Sequence, residues 1–232
     1  MSHLFITGSD TDVGKTFVTA GLTHVLHKNG KKVCPYKPVQ SGGEIGETGL
    51  EPGDCKFVKN MTDLLLPYDL MNTYCLKEPI SPHRAAEKEG VHLVPENILD
   101  HYYFLENKFD HVLVEGAGGV VVPLLRNSFY MYDLMKQLGI PAIVVTRTAV
   151  GTINHTALTV HYLKSIGIHI KAIIFNGYEG HDYEDDNIKI LKDITQIEQI
   201  FVLPKVKEFS REKVQEVYEK HLPFDQVLNL LK

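Results

Sequence analysis

Cysteine is scarce in this chain. Cys34, Cys55 and Cys75 lie far apart and form no pair with metal-ligand spacing. So sparse and odd a count gives no disulfide framework and fits a reducing compartment, with each thiol a small buried or half-buried side chain. Long hydrophobic runs are missing too: none approaches the length that spans a bilayer, and no signal peptide is expected ahead of the first strand. The expectation is a cytoplasmic protein without a membrane partner. Positive charge is not in excess either. Against 29 Asp and Glu stand 24 Lys and Arg, a formal net charge of −5, which gives no support to non-specific nucleic-acid binding or to an anionic membrane surface. A local basic site stays compatible with that balance. Repeats, low-complexity tracts and linkers are absent, so residues 1–232 read as one domain able to bury a large core.

What is present is a nine-residue stretch, Gly8-Ser9-Asp10-Thr11-Asp12-Val13-Gly14-Lys15-Thr16, between the apolar run Leu4-Phe5-Ile6 and a segment with helical spacing. Strand, glycine-bounded loop, Gly-Lys-Thr and helix is the layout of a phosphate-binding loop. Small residues let backbone N–H groups turn inward around phosphate oxygens, and the positive end of the following helix adds to that field. Lys15, expected at an exposed ligand site, would reach the β- and γ-phosphates, and the Thr16 hydroxyl would ligand Mg²⁺. The spacing is unusual: five residues separate the glycines where four are common, so Ser9 stands where the first glycine is expected. The bland reading is an ordinary strand-to-helix turn.

The rest of the chain alternates strands and helices. Strands are expected at 3–7, 33–39, 111–114, 142–146, 172–175 and 200–203. Helices are expected at 15–28, 54–61, 83–89, 95–107, 129–138, 153–165 and 184–194, with two short ones closing the chain. Pro35 and Pro38 put the second strand near an edge or end it early. Residues 40–53 hold five glycines and read as a mobile loop, and no element is assigned over 64–82. Such alternation predicts an α/β fold, a mostly parallel sheet with helices on both faces, of the P-loop NTPase kind. Ligands then bind beyond the carboxyl ends of the strands. The polar residues after the apolar runs form one chemical set: the loop at 8–16, Lys37 and Ser41, Glu115-Gly116-Ala117-Gly118, Thr146-Arg147 and Asn176-Gly177.

Glu115, directly after Val112-Leu113-Val114, stands where P-loop proteins carry a second-strand carboxylate for Mg²⁺, a hard cation that takes oxygen ligands and keeps several waters. Thr16, Asp54 and Glu115 make up the candidate metal set. A salt-bridged or helix-capping carboxylate is the other reading of Glu115, and a bare surface aspartate that of Asp54.

These residues together resemble the dethiobiotin synthetase family. The likeness rests on the loop at 8–16, Lys37-Pro38-Val39-Gln40-Ser41-Gly42, Ser81-Pro82-His83, Val114-Glu115-Gly116-Ala117-Gly118-Gly119 and Gly151-Thr152-Ile153-Asn154-His155, which span most of the chain. The long loop with five intervening residues is typical of that family; Ser9 in place of threonine and Asp12 in place of glutamate depart from it. The resemblance implies a ligase that converts 7,8-diaminopelargonate, CO₂ and MgATP into dethiobiotin, ADP and phosphate. An amine captures CO₂ as a carbamate, the carbamate takes the γ-phosphoryl group, and the neighbouring amine displaces phosphate. Lys15 and Lys37 would carry the catalysis. By matching position Thr11, Asp12, Lys37 and Ser41 surround the diamine and carbamate. Asp12, Val13, Gly14, Lys15, Thr16, Phe17, Asp54, Glu115, Gly116, Ala117 and Gly118 bind the nucleotide, with Asn176, Gly177, Pro204, Lys205 and Val206 at the base. The resemblance also implies a homodimer in which Gly151 and Asn154 hold the substrate carboxylate across the interface; an ordinary helix cap is the alternative. Read on its own, Lys37 has no evident structural partner, and His83 reads as the start of a helix.

Two other functions fit parts of the pattern. A cobyrinate-type amide synthase would need a second, ammonia-supplying domain, which 232 residues do not accommodate. A non-catalytic nucleotide switch of the partitioning-ATPase type usually has a lysine early in the loop, where this chain has Ser9 and Asp10.

Overall fold

The computed structural model describes residues 2–46 and 49–232. Along the chain the strands are β1 (Leu4–Gly8), β2 (Val33–Ser41), β3 (Glu44–Gly46), β4 (Gly49–Glu51), β5 (Asn72–Leu76), β6 (His111–Glu115), β7 (Pro123–Leu125), β8 (Phe129–Tyr130), β9 (Ala142–Arg147), β10 (Ile170–Tyr178) and β11 (Ile200–Pro204). The helices are α1 (Lys15–Lys28), α2 (Gly53–Met61), α3 (Tyr68–Met71), α4 (Pro82–Glu89), α5 (Pro95–Glu106), α6 (Met131–Leu138), α7 (Thr152–Ser165), α8 (Asp182–Thr195), α9 (Arg211–His221) and α10 (Phe224–Leu230).

Seven strands form one sheet in the order β11-β10-β9-β1-β6-β2-β5, and every pairing in it is parallel. Alternation along each strand decides which face a side chain covers. Phe5, Val112, Val114 and Val144 join residues of α5, α6 and α7 in one core. Leu4, Ile6, Leu113, Ile143 and Val145 join α1, α2, α9 and α10 in the other. Buried on both faces, these strands read as continuous apolar runs, as a parallel sheet requires.

One expectation holds and two need correction. β2 lies near an edge, between β6 and the edge strand β5, and does not end early. It tolerates two prolines because its pairing is split: Val33 to Tyr36 run along β6, Lys37 to Ser41 along β5, and Pro38 is skipped in the second register. The glycine-rich stretch after it carries an antiparallel hairpin of β3 and β4; of the mobile loop expected over 40–53, residues 47 and 48 lie outside the described residues. Residues 64–82 supply the sheet's edge strand, β5, whose mixed polar sequence Asn-Thr-Tyr-Cys-Leu is mostly half-buried and so lacks the apolar run that marks the central strands.

The sheet order puts β1 in the middle, with β6 on one side and β9 on the other. The carboxyl ends of β1, β2, β6, β9, β10 and β11 therefore open onto one side of the molecule, where such sheets bind ligands.

Candidate active site

Between β1 and α1 the chain makes the turn that a phosphate loop needs. Gly14 precedes the helix with φ 95°, a left-handed conformation natural to glycine, and a Cβ there would collide with the Asn176 side-chain amide. Asp12 also has positive φ, 57°, uncommon outside glycine. Among the described residues no side chain caps the start of α1, so its first N–H groups are available to an anion.

Two strand ends, those of β9 and β10, hold the loop from behind. Ser9 Oγ donates to Thr146 Oγ1 at 2.9 Å, Arg147 Nη2 to the Asp12 carbonyl at 2.8 Å, and Asn176 Nδ2 to the Val13 carbonyl at 3.1 Å. Asn176, expected at the base, thus spends one amide hydrogen on the loop and keeps a second hydrogen and its oxygen. Lys15 is not exposed as expected: it is 6% accessible, and its ammonium donates to the Asp10 carbonyl at 3.1 Å. Burial, then the positive charge of Lys37, bring it down to about 8. A bound polyphosphate would oppose both effects.

Lys37 has the partners that its sequence context did not reveal. From the middle of β2 its ammonium reaches Asp54 Oδ2 at 2.6 Å, Glu115 Oε1 at 2.8 Å and the Gly116 carbonyl at 2.9 Å. Thr16 Oγ1 donates to the same Glu115 oxygen at 2.8 Å. Burial acts to lower the Lys37 ammonium, but the two carboxylates outweigh it and hold it above the usual lysine range. Burial likewise works against ionised Asp54, yet Lys37 holds it low. For the more deeply buried Glu115, burial prevails over Lys37, helped by the negative charge of Asp54, and the carboxyl is raised. Of the two readings of Glu115, its geometry is the salt-bridged one; Asp54 is no bare surface residue.

The candidate metal set offers oxygens alone, Thr16 Oγ1 and two carboxylates around one point now held by an ammonium. That donor set suits Mg²⁺, which needs few protein ligands beside phosphate and water. No group of three His, Cys, Asp or Glu with metal-binding arrangement occurs among the described residues, so the carboxylates here number two.

A cavity of about 750 Å³ opens over these groups. Thr11, Asp12, Gly14, Lys15, Thr16, Lys37, Ser41, Asp54, Glu115, Ala117 and Gly118 line it, together with Gln40 and Pro79 to Pro82, which carried no expected role. Gln40 follows from position: its side-chain oxygen accepts from Asp54 N at 3.1 Å and fixes the start of α2. Ile80 and Ser81 come from the stretch without assigned elements, and the Ser-Pro-His signature was their one signal. The Ser41 hydroxyl oxygen is buried without a hydrogen-bond partner among the described residues, as expected of a group meant for a ligand.

Other expected residues lie elsewhere. The Phe17 ring packs into the core on Tyr218, centroids 4.8 Å apart, which leaves its backbone for a ligand. Gly116 N–H donates to the Ile6 carbonyl at 3.0 Å. Gly177 has φ 85°, Pro204 ends β11, Lys205 pairs with Glu179 at 2.7 Å, and Val206 packs on the core beside α9. Gly151 caps α7 with φ 93°, and neither it nor Asn154 lines the cavity of its own chain. His83, the second residue of α4, lines a separate cavity of about 290 Å³.

The model of a family described as an AAA domain matches residues 2–213. Among solved structures, the chain is similar to the MinC:MinD cell division protein complex of Aquifex aeolicus, with a TM-score of 0.61 and 16% identity over 99% of this chain and 96% of that one. It is also similar to the septum site-determining protein MinD complexed with Mg-ADP from Pyrococcus horikoshii, with a TM-score of 0.60 and 18% identity over 97% and 93%. At such identities the likeness is one of fold, and the fold is that of a P-loop NTPase. Sequence relatives are far nearer. The ATP-dependent dethiobiotin synthetase BioD of Anoxybacillus flavithermus is 41% identical over 92% of this chain and 96% of its own. That of Fusobacterium nucleatum is 40% identical over 92% and 97%. Likeness of that order along nearly the whole of both chains, with the loop, the two lysines and the paired carboxylates in one cavity, makes this protein a member of the ATP-dependent dethiobiotin synthetase family.

Proposed function

We propose that this protein is a ligase of biotin biosynthesis that makes dethiobiotin from 7,8-diaminopelargonate, CO₂ and ATP, with release of ADP and phosphate. The observation that carries the reading is the Lys37 ammonium, fixed between Asp54 and Glu115 in the cavity that also receives Lys15. A carbamate and a triphosphate are both anions, and bringing them together needs positive charge that does not reorganise during the reaction. Lys37 is held in place by three oxygen partners before any substrate arrives.

In this reading the loop N–H groups and Lys15 take the phosphates of ATP, whose base lies towards Asn176, Gly177 and Pro204 to Val206. One substrate amine, near Thr11, Asp12 and Ser41, adds to CO₂ and loses a proton. The carbamate oxygen then attacks the γ-phosphorus, and the β–γ bridging oxygen leaves with ADP. The second amine attacks the carbamate carbon, phosphate departs, and the ring closes. Lys15 and Lys37 face the charge that gathers on the transferring group, so positioning and electrostatics suffice without a covalent nucleophile. Thr16, Asp54 and Glu115 would hold Mg²⁺, which when bound neutralises phosphate charge.

The same reading makes the enzyme a cytoplasmic homodimer of single-domain chains. Support for the dimer is that Gly151 and Asn154 stand outside their own chain's cavity while neighbouring Val150 is 91% exposed. The α7 start of one protomer would serve the other's substrate carboxylate, its free N–H groups acting on a negative charge.

Phosphate release measured with each substrate omitted in turn tests the function. Release should require diamine and bicarbonate together. Release indifferent to both would mark the chain as a nucleotide switch.

A further inference from the structure

Behind the phosphate loop lies a cluster of four hydroxyls from three segments. Ser9 in the loop, Thr146 near the end of β9, and Thr152 and Thr156 in the first turns of α7 all meet at Thr146 Oγ1. Its contacts are Ser9 Oγ at 2.9 Å, Thr152 Oγ1 at 3.0 Å and Thr156 Oγ1 at 2.7 Å. Thr146, Thr152 and Thr156 are 1%, 5% and 0% exposed, so no exchange with bulk water relaxes the arrangement.

Proton counting gives the cluster a direction. A hydroxyl has one hydrogen to donate and two lone pairs to accept with. Thr152 spends its hydrogen on the Arg147 carbonyl, 2.6 Å away, so towards Thr146 it accepts. Over its three shorter contacts, Thr146 therefore donates to Thr152 and accepts from both Ser9 and Thr156, while Thr156 Oγ1 also lies 3.3 Å from Thr152 Oγ1. The three valences of Thr146 are all used. No other residue type of this size does the same: valine in its place would strand the Ser9 donor and the Thr152 acceptor and leave Thr156 only the longer contact to Thr152, and alanine would also open a void.

The segment that Thr146 holds leads to a lysine of the site. Ser9 is followed by Asp10, whose carbonyl receives the Lys15 ammonium at 3.1 Å. Ser9 N–H also donates to the Val145 carbonyl at 2.9 Å, so backbone and side chain of Ser9 are both fixed to β9. We propose that Thr146 is a positioning residue of the phosphate loop, acting through Ser9 to set the half-loop that carries the Lys15 contact, with α7 as its anchor. Thr146 touches no reacting atom. Its effect is on how well the loop is shaped before nucleotide arrives.

The inference rests on the nucleotide reading of the loop, and calorimetry with MgATP alone, without diamine, tests it. Thr146→Val should weaken MgATP binding about tenfold, and Ser9→Ala by a similar factor. The double variant should be no worse than Thr146→Val, because both remove one interaction. Thr146→Ser should restore affinity to within about twofold. Thr156→Val removes an equally buried bond of the cluster but leaves the Ser9 link. It should lower the melting temperature while keeping MgATP affinity within about twofold. Wild-type affinity in Thr146→Val would overturn the proposal, as would losses that multiply in the double variant or that follow melting temperature alike in Thr146→Val and Thr156→Val. Failure of the unaltered protein to bind MgATP would overturn the nucleotide reading and this inference with it.

Discussion

Lys37 and Lys15 show how differently two buried lysines can be placed. Lys37, 5% exposed, is compensated by two carboxylates, whereas Lys15 has one carbonyl and a like charge nearby. Lys37→Gln removes the cation from between Asp54 and Glu115. It should lower folding stability by about 3 kcal/mol as well as turnover by about a hundredfold or more. Urea denaturation beside product formation reads both, and full product formation would remove Lys37 from the reaction. For Lys15→Gln the fold should persist, since no carboxylate loses its partner, while turnover falls on the order of a hundredfold. A fall of less than about tenfold in steady-state turnover would show that Lys15 is not at the transferring phosphoryl group. Glu115→Gln should raise the Mg²⁺ concentration that gives half-maximal activity, because the set keeps one charged oxygen donor fewer. An unchanged magnesium titration would exclude Glu115 as a ligand.

At the scale of elements, α8 shows how a helix start is tied into the sheet. Glu184 is 2% exposed, accepts from His181 N at 2.9 Å and Glu179 N at 3.1 Å, and takes the Thr148 hydroxyl as well. Burial works against its charge, but the Thr148 hydroxyl and the backbone N–H groups outweigh it, so the carboxyl sits below the ordinary value of 4.5. A carboxyl lowered by folding stabilises the native state above its unfolded pKa and loses that contribution as pH falls through the folded one. Glu184→Gln should therefore cost about 2 kcal/mol near neutral pH, and the deficit should shrink as the pH drops below about 4. Denaturation midpoints of both proteins across that range make the comparison; a deficit that does not change with pH would assign the cost to packing. Position within an element also decided what could be read. Central strands such as Val112-Leu113-Val114 are apolar throughout and legible, while edge strand β5 is half-buried and carries no period.

For the whole molecule, the proposed dimer is tested in solution. Val150, 91% exposed beside Gly151, should be covered in a pair of chains. Light scattering is expected to give twice the 26.2 kDa chain mass. Val150→Glu should yield monomers that bind MgATP normally but need about tenfold more diamine, since a carboxylate buried in an apolar contact is costly and the partner's α7 start is lost. Monomers with unaltered diamine dependence would place the substrate carboxylate within one chain.

The sequence alone determined the alternation of strand and helix, hence a parallel sheet covered on both faces, because buried strands must be apolar throughout and helices must be apolar at helical spacing. It also determined the phosphate loop, since left-handed backbone at Gly14 and an uncapped helix start are local matters. Tertiary structure decided the partners. That Lys37 meets Asp54 and Glu115, that Thr146 meets Ser9 and that Asn176 meets Val13 depends on strand order and register, which join residues 17 to 163 positions apart. No local pattern encodes such distances: a charge or hydroxyl at a strand end reads the same whatever strand becomes its neighbour, and burial turns that neighbour into a requirement.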